Sequence, residues 1–373
     1  MYATRLVDSA IFRTFPEYLP ALRPNQVFLG PLLLFCKIHF VPLSARSARL
    51  SPWLAAAVWA LVVAAAALYG VHLGFSGRAF FIGLAVAAVL FAFELFLACP
   101  TILEKFSRSP AQLALPLVIL IPSAAALLYS LALVGNWRLA LAALAYALVP
   151  LSLAALSRGR PAGTWQDYAA ILLIWLPVEF RWMYRVFVFP TDAGLAAWPL
   201  THTLTILLAV GTALSAFLLI RRFERIGYSA EWRRGDASLV LSHFALFALI
   251  AVPLGLALHF LAWAPSGTRL RALPLTAAGI LFFTAWPEEF LFRGLLQNAF
   301  SRTLHNRWAA LALAAVIFGL SHILHAPYPN WKYVVLATIA GLFYGHAWMK
   351  SGSLVPGALL HALVDISWHI LFR

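Results

Sequence analysis

Trp286-Pro287-Glu288-Glu289-Phe290-Leu291-Phe292-Arg293-Gly294 places two adjacent carboxylates and an arginine inside an apolar run that should cross a membrane. An ionisable side chain in hydrocarbon costs about 3 kcal/mol on insertion scales and more in simulation, so it marks a functional site by default. The fold class and the site both turn on which other polar residues can meet these three.

Composition sets the frame. The 373-residue chain is 63% hydrophobic and 11% charged, with a mean hydropathy of +0.87. Soluble domains run about 45–50% apolar and about 25% charged, so the chain reads as a polytopic membrane protein. A net charge of +14 would suggest nucleic acid in a soluble chain. Here the basic residues gather in short loops and set topology, so the lipid bilayer is the expected partner and nucleic acid is not. Lysine is scarce (Lys37, Lys105, Lys332, Lys350) among 27 basic residues, and Ala and Leu abound. That bias is typical of a GC-rich bacterial genome. Cys36 and Cys99 offer neither a disulfide framework nor metal-ligand spacing. Residues 1–26 carry Arg5, Arg13 and Arg23 without a continuous apolar core, so no signal peptide is expected there.

Apolar runs long enough to cross about 30 Å at about 1.5 Å per residue fall near 53–74, 79–99, 112–135, 139–157, 168–189, 201–220, 238–263, 272–299, 308–325, 332–349 and 354–371. The expected fold is all-α, a polytopic transmembrane helix bundle of about eleven spans. Gln26 to Pro42 is short and interrupted by Lys37 and His39, which reads as an interfacial or re-entrant segment. One set of alternate loops carries Arg46, Arg49, Lys105, Arg108, Arg158, Arg160, Arg221, Arg222, Arg225, Arg233, Arg234, Arg302, Arg307 and Lys350. The other carries Arg78, Arg138, Arg269, Arg271, Lys332 and Arg373. The first set is therefore expected to be cytoplasmic, with the N-terminus on the same side of a bacterial inner membrane. The basic loop 221–237 divides the chain into a lead-in (1–52), a membrane region of six spans (53–237) and a functional module of five spans (238–373).

Within the opening stretch, Glu289 and Arg293 are four apart and share a helix face, the geometry of an ion pair. Glu288 points about 100° away and is free to face something else. The structural alternative is a buried ion pair without catalysis. The ninth span carries Phe318-Gly319-Leu320-Ser321-His322, and the eleventh carries His361-Ala362-Leu363-Val364-Asp365. Counted from the cytoplasmic helix ends, Glu288 lies ~20 Å deep, His322 ~21 Å, Asp365 ~18 Å and His361 ~12 Å. One layer of a bundle can present all four. A buried carboxylate beside an imidazole is a competent water-activating pair, and a second polar pair can hold a developing oxyanion.

These three motifs, with Phe292-Arg293-Gly294 after the first and Gly352-Ser353-Leu354-x-Pro356 before the last, resemble the pattern of the CAAX prenyl protease and bacteriocin-processing (CPBP, or Abi) family of glutamic-type intramembrane endopeptidases. The resemblance covers about residues 240–370. It implies that Glu288 and His322 activate water, that His361 and Asp365 hold the oxyanion, and that Glu289 and Arg293 support the first motif. Asp stands at 365 where eukaryotic members favour Asn, so Asp365 is either protonated or orients His361. No His-Glu-x-x-His is present. Glu288, His322 and His361 would make a one-carboxylate, two-histidine metal site, but the resemblance favours a metal-free mechanism, so no cofactor is expected.

The sequence thus reads as an endopeptidase that hydrolyses a peptide bond of a membrane-associated protein or peptide. Precursor maturation and removal of C-terminal sorting tails are the roles the resemblance implies, and the six extra spans suit a sorting-tail (myxosortase-like) member. Two alternatives stand beside it: a non-catalytic membrane scaffold or immunity protein, and a proton-coupled transporter. Glu94, Glu179, Arg181 and Arg185 read as packing and topology devices, with substrate gating as the lesser alternative, and His243, His259 and His346 as structural residues.

Overall fold

The computed structural model describes residues 48–108, 111–186 and 198–372, all within one compact unit, Ala45–Arg373. The segment Gln26–Pro42, Cys36 and most of the expected lead-in lie outside the described residues.

Helices dominate. They are α1 (Pro52–His72), α2 (Gly77–Leu97), α3 (Pro100–Arg108), α4 (Ala111–Tyr129), α5 (Trp137–Leu156), α6 (Trp165–Glu179), α7 (Trp198–Ala213), α8 (Asp236–Ala257) and α9 (Gly267–Arg271). A long helix over 273–303 (α10), then α11 (Arg307–Ser321), α12 (Trp331–Ser351) and α13 (Leu354–Leu371), complete the chain. Each of the eleven expected spans falls on a helix. Among the described residues, seven helical stretches are long and apolar enough to cross a membrane by length and composition. One expected span is shorter than anticipated: α6 has 15 residues and gives way after Phe180 to a 3₁₀ turn, Trp182–Arg185. Fifteen residues reach about 22 Å, short of the roughly 30 Å hydrocarbon core.

Helices in lipid gain little from hydrophobic burial against one another, and close approach of small residues does more. On α5, Ala140, Ala143, Ala147 and Ala154 are all buried, on one face at spacings of three, four and seven. Ala310, Ala314 and Ala315 of α11 and Ala337, Ala340 and Gly341 of α12 are buried likewise, and these helices pack on each other. α12 packs in turn on α13 and α8, and α2 on α7.

α10 is interrupted. Helical segments Leu273–Ile280, Trp286–Glu289 and Asn298–Thr303 alternate with π-helical stretches Leu281–Ala285 and Phe290–Gln297. Pro287 has no N–H to donate and its ring crowds the carbonyl a turn earlier. The wider π turn just before it accommodates that ring, and such turns recur at functional sites.

The loop 221–237 is not an open tether. Phe223, Ile226 and Tyr228 are buried, and Tyr228 packs against Trp286 and Phe290 at 5.5 and 5.0 Å while donating to the Glu94 carbonyl. Glu231–Trp232 pairs antiparallel with Ala48–Arg49 in a two-stranded ladder, Ala48 opposite Trp232. Just beyond the expected ends of two spans, Arg221 donates Nε to Asp167 Oδ1 (2.8 Å) and Nη2 to Oδ2 (3.2 Å), with both side chains buried. Asp167 also closes a capping box with Thr164 at the start of α6. Burial alone would push the Asp167 carboxyl up, but the Arg221 guanidinium, the Thr164 N–H and the Ser157 hydroxyl outweigh it and hold the group below its ordinary value.

Candidate active site

The opening stretch lands in the second helical segment of α10 and the π turn that follows. Glu289 is fully buried, and Arg293 Nε lies 3.1 Å from Glu289 Oε2 on the same helix. An ion stranded in the interior costs several kcal/mol unless paired and hydrogen-bonded; the pairing is made here and the hydrogen bonding in part, since Arg293 Nη1 and Glu289 Oε2 have no hydrogen-bond partner among the described residues. Arg293 Nη2 donates to the Gly341 carbonyl (3.3 Å), and its guanidinium carbon stands 4.6 Å from the centre of the Phe318 ring and 5.4 Å from that of Tyr344. The remaining oxygen of Glu289 reaches across to α13, where His361 Nδ1 lies 3.1 Å away. A carboxylate only accepts, so Nδ1 carries a proton and donates, and Nε2 is the nitrogen that faces the remaining carboxylates.

Two more carboxylates converge on Nε2. Glu288 Oε2 is 3.8 Å from it and Asp365 Oδ2 is 3.5 Å. Glu288 is one-third exposed, whereas its neighbour Glu289 is sealed. The His361 ring stacks on Tyr344 at 4.6 Å with a 17° interplanar angle, and the Phe318 edge closes a third side at 5.7 Å. Glu289 comes this close to α13 because Gly357 lies one turn before His361. A Cβ at 357 would stand 3.0 Å from Glu289 Oε2.

His322 takes a different position from the other candidates. Its Nδ1 donates to the Phe318 carbonyl of its own helix (2.8 Å), which leaves Nε2 as an acceptor. Its ring meets Tyr333 at 4.4 Å and Phe318 at 4.9 Å. Glu288 and His322 make neither a hydrogen bond nor an ion pair with each other. They also line different cavities. Glu288 opens onto a cavity of about 470 Å³, while His322, His361 and Asp365 line one of about 110 Å³. The two spaces approach each other where Glu288 meets His361.

Three features here are absent from the sequence reading. Tyr333 and Tyr344 are eleven residues apart, three turns of α12, so both face the histidines; that spacing was the available signal, hidden in an aromatic-rich span. Gly294 packs against Ile226 of the 221–237 loop, where a Cβ would come within 2.9 Å of its side chain. His243 and His346 partner each other at 2.8 Å, 103 positions apart. Among the described residues no group of three or more His, Cys, Asp or Glu has the geometry of a metal site.

Against known families, residues 270–367 match a family model described as Rce1-like, type II CAAX prenyl endopeptidase Rce1-like. This stretch is similar to that family. The resemblance carried by the three motifs stands over those residues, which hold Glu288, Glu289, Arg293, His322, His361 and Asp365. Neither a curated protein nor a solved structure matches the chain. The Rce1-like stretch, set in a bundle of apolar helices, supports an integral membrane protein and an intramembrane CAAX-type endopeptidase, a hydrolase of peptide bonds.

The larger cavity extends beyond the Rce1-like stretch. Its far wall comes from α6, the 3₁₀ turn and α7, including Trp175, Glu179, Arg181, Tyr184 and His202. Arg181 adopts φ 58° and ψ 20° just past the end of α6. That left-handed conformation costs a residue with a Cβ about 1–2 kcal/mol and normally falls to glycine at this position.

Proposed function

We propose that the chain is a glutamic-type intramembrane endopeptidase in which Glu288 activates water against a peptide bond of a membrane-associated protein or peptide. The observation that carries this reading is the convergence of Glu288, Glu289 and Asp365, from two helices, on the single imidazole of His361. A structural ion pair needs only Glu289 and Arg293. It gives no reason to place two further carboxylates at the opposite nitrogen, where each adds cost in a low-dielectric setting.

The roles follow from the geometry. Water attacks the carbonyl carbon as its proton passes to Glu288, and the carbonyl electron pair moves onto oxygen. With both ring nitrogens of His361 protonated among these carboxylates, the N–H at Nε2 meets that oxyanion, a preorganised donor of the kind that stabilises such intermediates. The intermediate then collapses, the C–N bond breaks, and the departing amine takes the proton from Glu288. Arg293 holds Glu289, and Glu289 holds His361 by Nδ1, so ring orientation is set two steps from the chemistry. Asp365 accepts from Nε2 between turnovers, a role open to an ionised carboxylate. His322, its tautomer fixed by the Phe318 carbonyl, offers Nε2 to the same water from the smaller cavity. General-base assistance through one intervening water is compatible with the absence of direct contact between Glu288 and His322.

The substrate belongs to the membrane, because a soluble chain would have to desolvate its backbone to reach this layer. Residues 238–373 are then the catalytic module, in a bacterial inner membrane with a cytoplasmic N-terminus, and the extra spans suit a sorting-tail protease. The route uses no metal, so activity should survive exhaustive chelation. The test reconstitutes the full chain in proteoliposomes and compares two readouts, new peptide termini and solute uptake. New termini without uptake are expected. Uptake without hydrolysis would favour a transporter, and neither activity would favour a scaffold.

A further inference from the structure

The wall of the larger cavity opposite Glu288 comes from outside the Rce1-like stretch, and its position relative to Glu288 is fixed by side-chain pairs. Tyr168 stacks on Phe300 at 5.5 Å, and Trp175 packs edge-on against Phe292 at 5.4 Å. As α6 advances seven residues α10 retreats eight, so the two helices run antiparallel. Four residues beyond Trp175 is Glu179, and four before Phe292 is Glu288. Each step is about 6 Å along its helix, which brings Glu179 level with Glu288 on the two sides of one cavity. The Glu179 carboxylate accepts from Trp175 Nε1 at 3.1 Å and feels the charge of Arg181 without a direct ion pair to it.

Arg181 follows at the end of this wall and lines the same cavity. Its guanidinium makes no hydrogen bond or ion pair with any described residue, Glu179 included. Of the polar groups nearby, Tyr184 and His202 are bonded to each other at 2.6 Å, and His325 stacks on His322 at 5.6 Å. A permanently charged, fork-shaped donor set, held by left-handed backbone at the edge of a largely apolar space, is suited to an anion that arrives with a ligand. A cavity of about 470 Å³ falls in the range of about 300–1,000 Å³ typical of ligand sites.

We infer that Arg181 is a specificity-determining residue that binds a carboxylate of the substrate peptide, so that the region before residue 238 selects what Glu288 cleaves. This rests on the endopeptidase reading above. An Arg–carboxylate pair is bidentate and charge-assisted. Its position across the cavity from Glu288 puts the recognised carboxylate a few residues from the cleaved bond, either as the free C-terminus of the peptide or as an acidic side chain.

The experiment uses the full chain in membranes, with cleavage sites first mapped by quantitative profiling of new termini in wild-type against Glu288→Gln. A peptide spanning one mapped site is then made in three forms: unaltered, C-terminally amidated, and with acidic side chains replaced by their amides. Arg181→Gln should raise KM on the unaltered peptide about 10- to 100-fold, the range for a charge-assisted hydrogen bond, with kcat little changed. One of the two neutralised peptides should show the same loss with wild-type protein and no further loss with Arg181→Gln; which one identifies the carboxylate. Arg181→Lys, which keeps the charge, should fall between and control for folding. The inference is overturned if Arg181→Gln matches wild-type, or if it loses equally on all three peptides, as an arginine serving only a lipid headgroup would. Unchanged cleavage by Glu288→Gln would instead overturn the endopeptidase reading itself.

Discussion

Arg293→Met should destabilise the protein far more than the loss of one surface charge would, and a second change should repair it. Arg293 is 1% exposed and Glu289 fully buried. Met occupies the aliphatic path of the arginine and keeps contact with Phe318, so the main loss is electrostatic. Glu289 is then left charged, with only the His361 N–H as partner. Breaking a buried pair by removing one member typically costs about 3–5 kcal/mol. The cation–π contact at 4.6 Å from the Phe318 ring adds up to about 2 kcal/mol when desolvated. Glu289→Gln in the same chain removes the stranded charge while its amide oxygen can still accept from His361 Nδ1. The double variant should therefore recover most of the lost stability, because replacing a buried pair outright is often near neutral. Its activity should stay low, since a neutral acceptor holds His361 less firmly than a carboxylate. The assay is reversible unfolding in mixed micelles for the four members of the cycle. Arg293→Met within about 1 kcal/mol of wild-type, or a double variant no better than the single, would refute the network's role.

Two further outcomes follow from neighbouring contacts. Gly357→Ala places a Cβ 3.0 Å from Glu289 Oε2, so the carboxylate must shift; cleavage should fall while the protein still accumulates, and wild-type turnover would show that this clearance is unimportant. The Asp167–Arg221 clamp gives a pH dependence with a defined sign. Asp167 is held below its ordinary value in the folded protein, so its contribution is present above the unfolded carboxylate value of about 4 and is lost as pH falls through the lower folded value. Stability of wild-type should drop below about pH 4 more steeply than that of Asp167→Asn; parallel pH curves would contradict the assignment.

The elements and one half of the site were legible in the sequence because both are local. An apolar run of about twenty residues identifies a helix, and a separation of four residues puts Glu289 and Arg293 on one face. What was not legible depends on how each helix is rotated about its axis. A helix that is apolar all round carries no amphipathic stripe to report that rotation. So the 3.1 Å contact of His361 with Glu289, 72 positions apart, could not be read from spacing. Nor could the stacking of Tyr344 on His361, or the pairing of His243 with His346. Depth arithmetic placed Glu288 and His322 in one layer, yet depth does not fix azimuth, and they face different cavities. The arginines of the loop 221–237 gave no sign that Phe223, Ile226 and Tyr228 between them are buried.

The most direct test of the account is the cleavage rate of Glu288→Gln at a mapped substrate site, in membranes where it accumulates to the wild-type level. Gln keeps the size and a hydrogen-bonding oxygen but cannot take a proton from water, so product should fall by at least the roughly 10²–10⁴-fold typical of a lost general base. Cleavage within a few-fold of wild-type would show that the cluster around His361 does not hydrolyse the peptide bond.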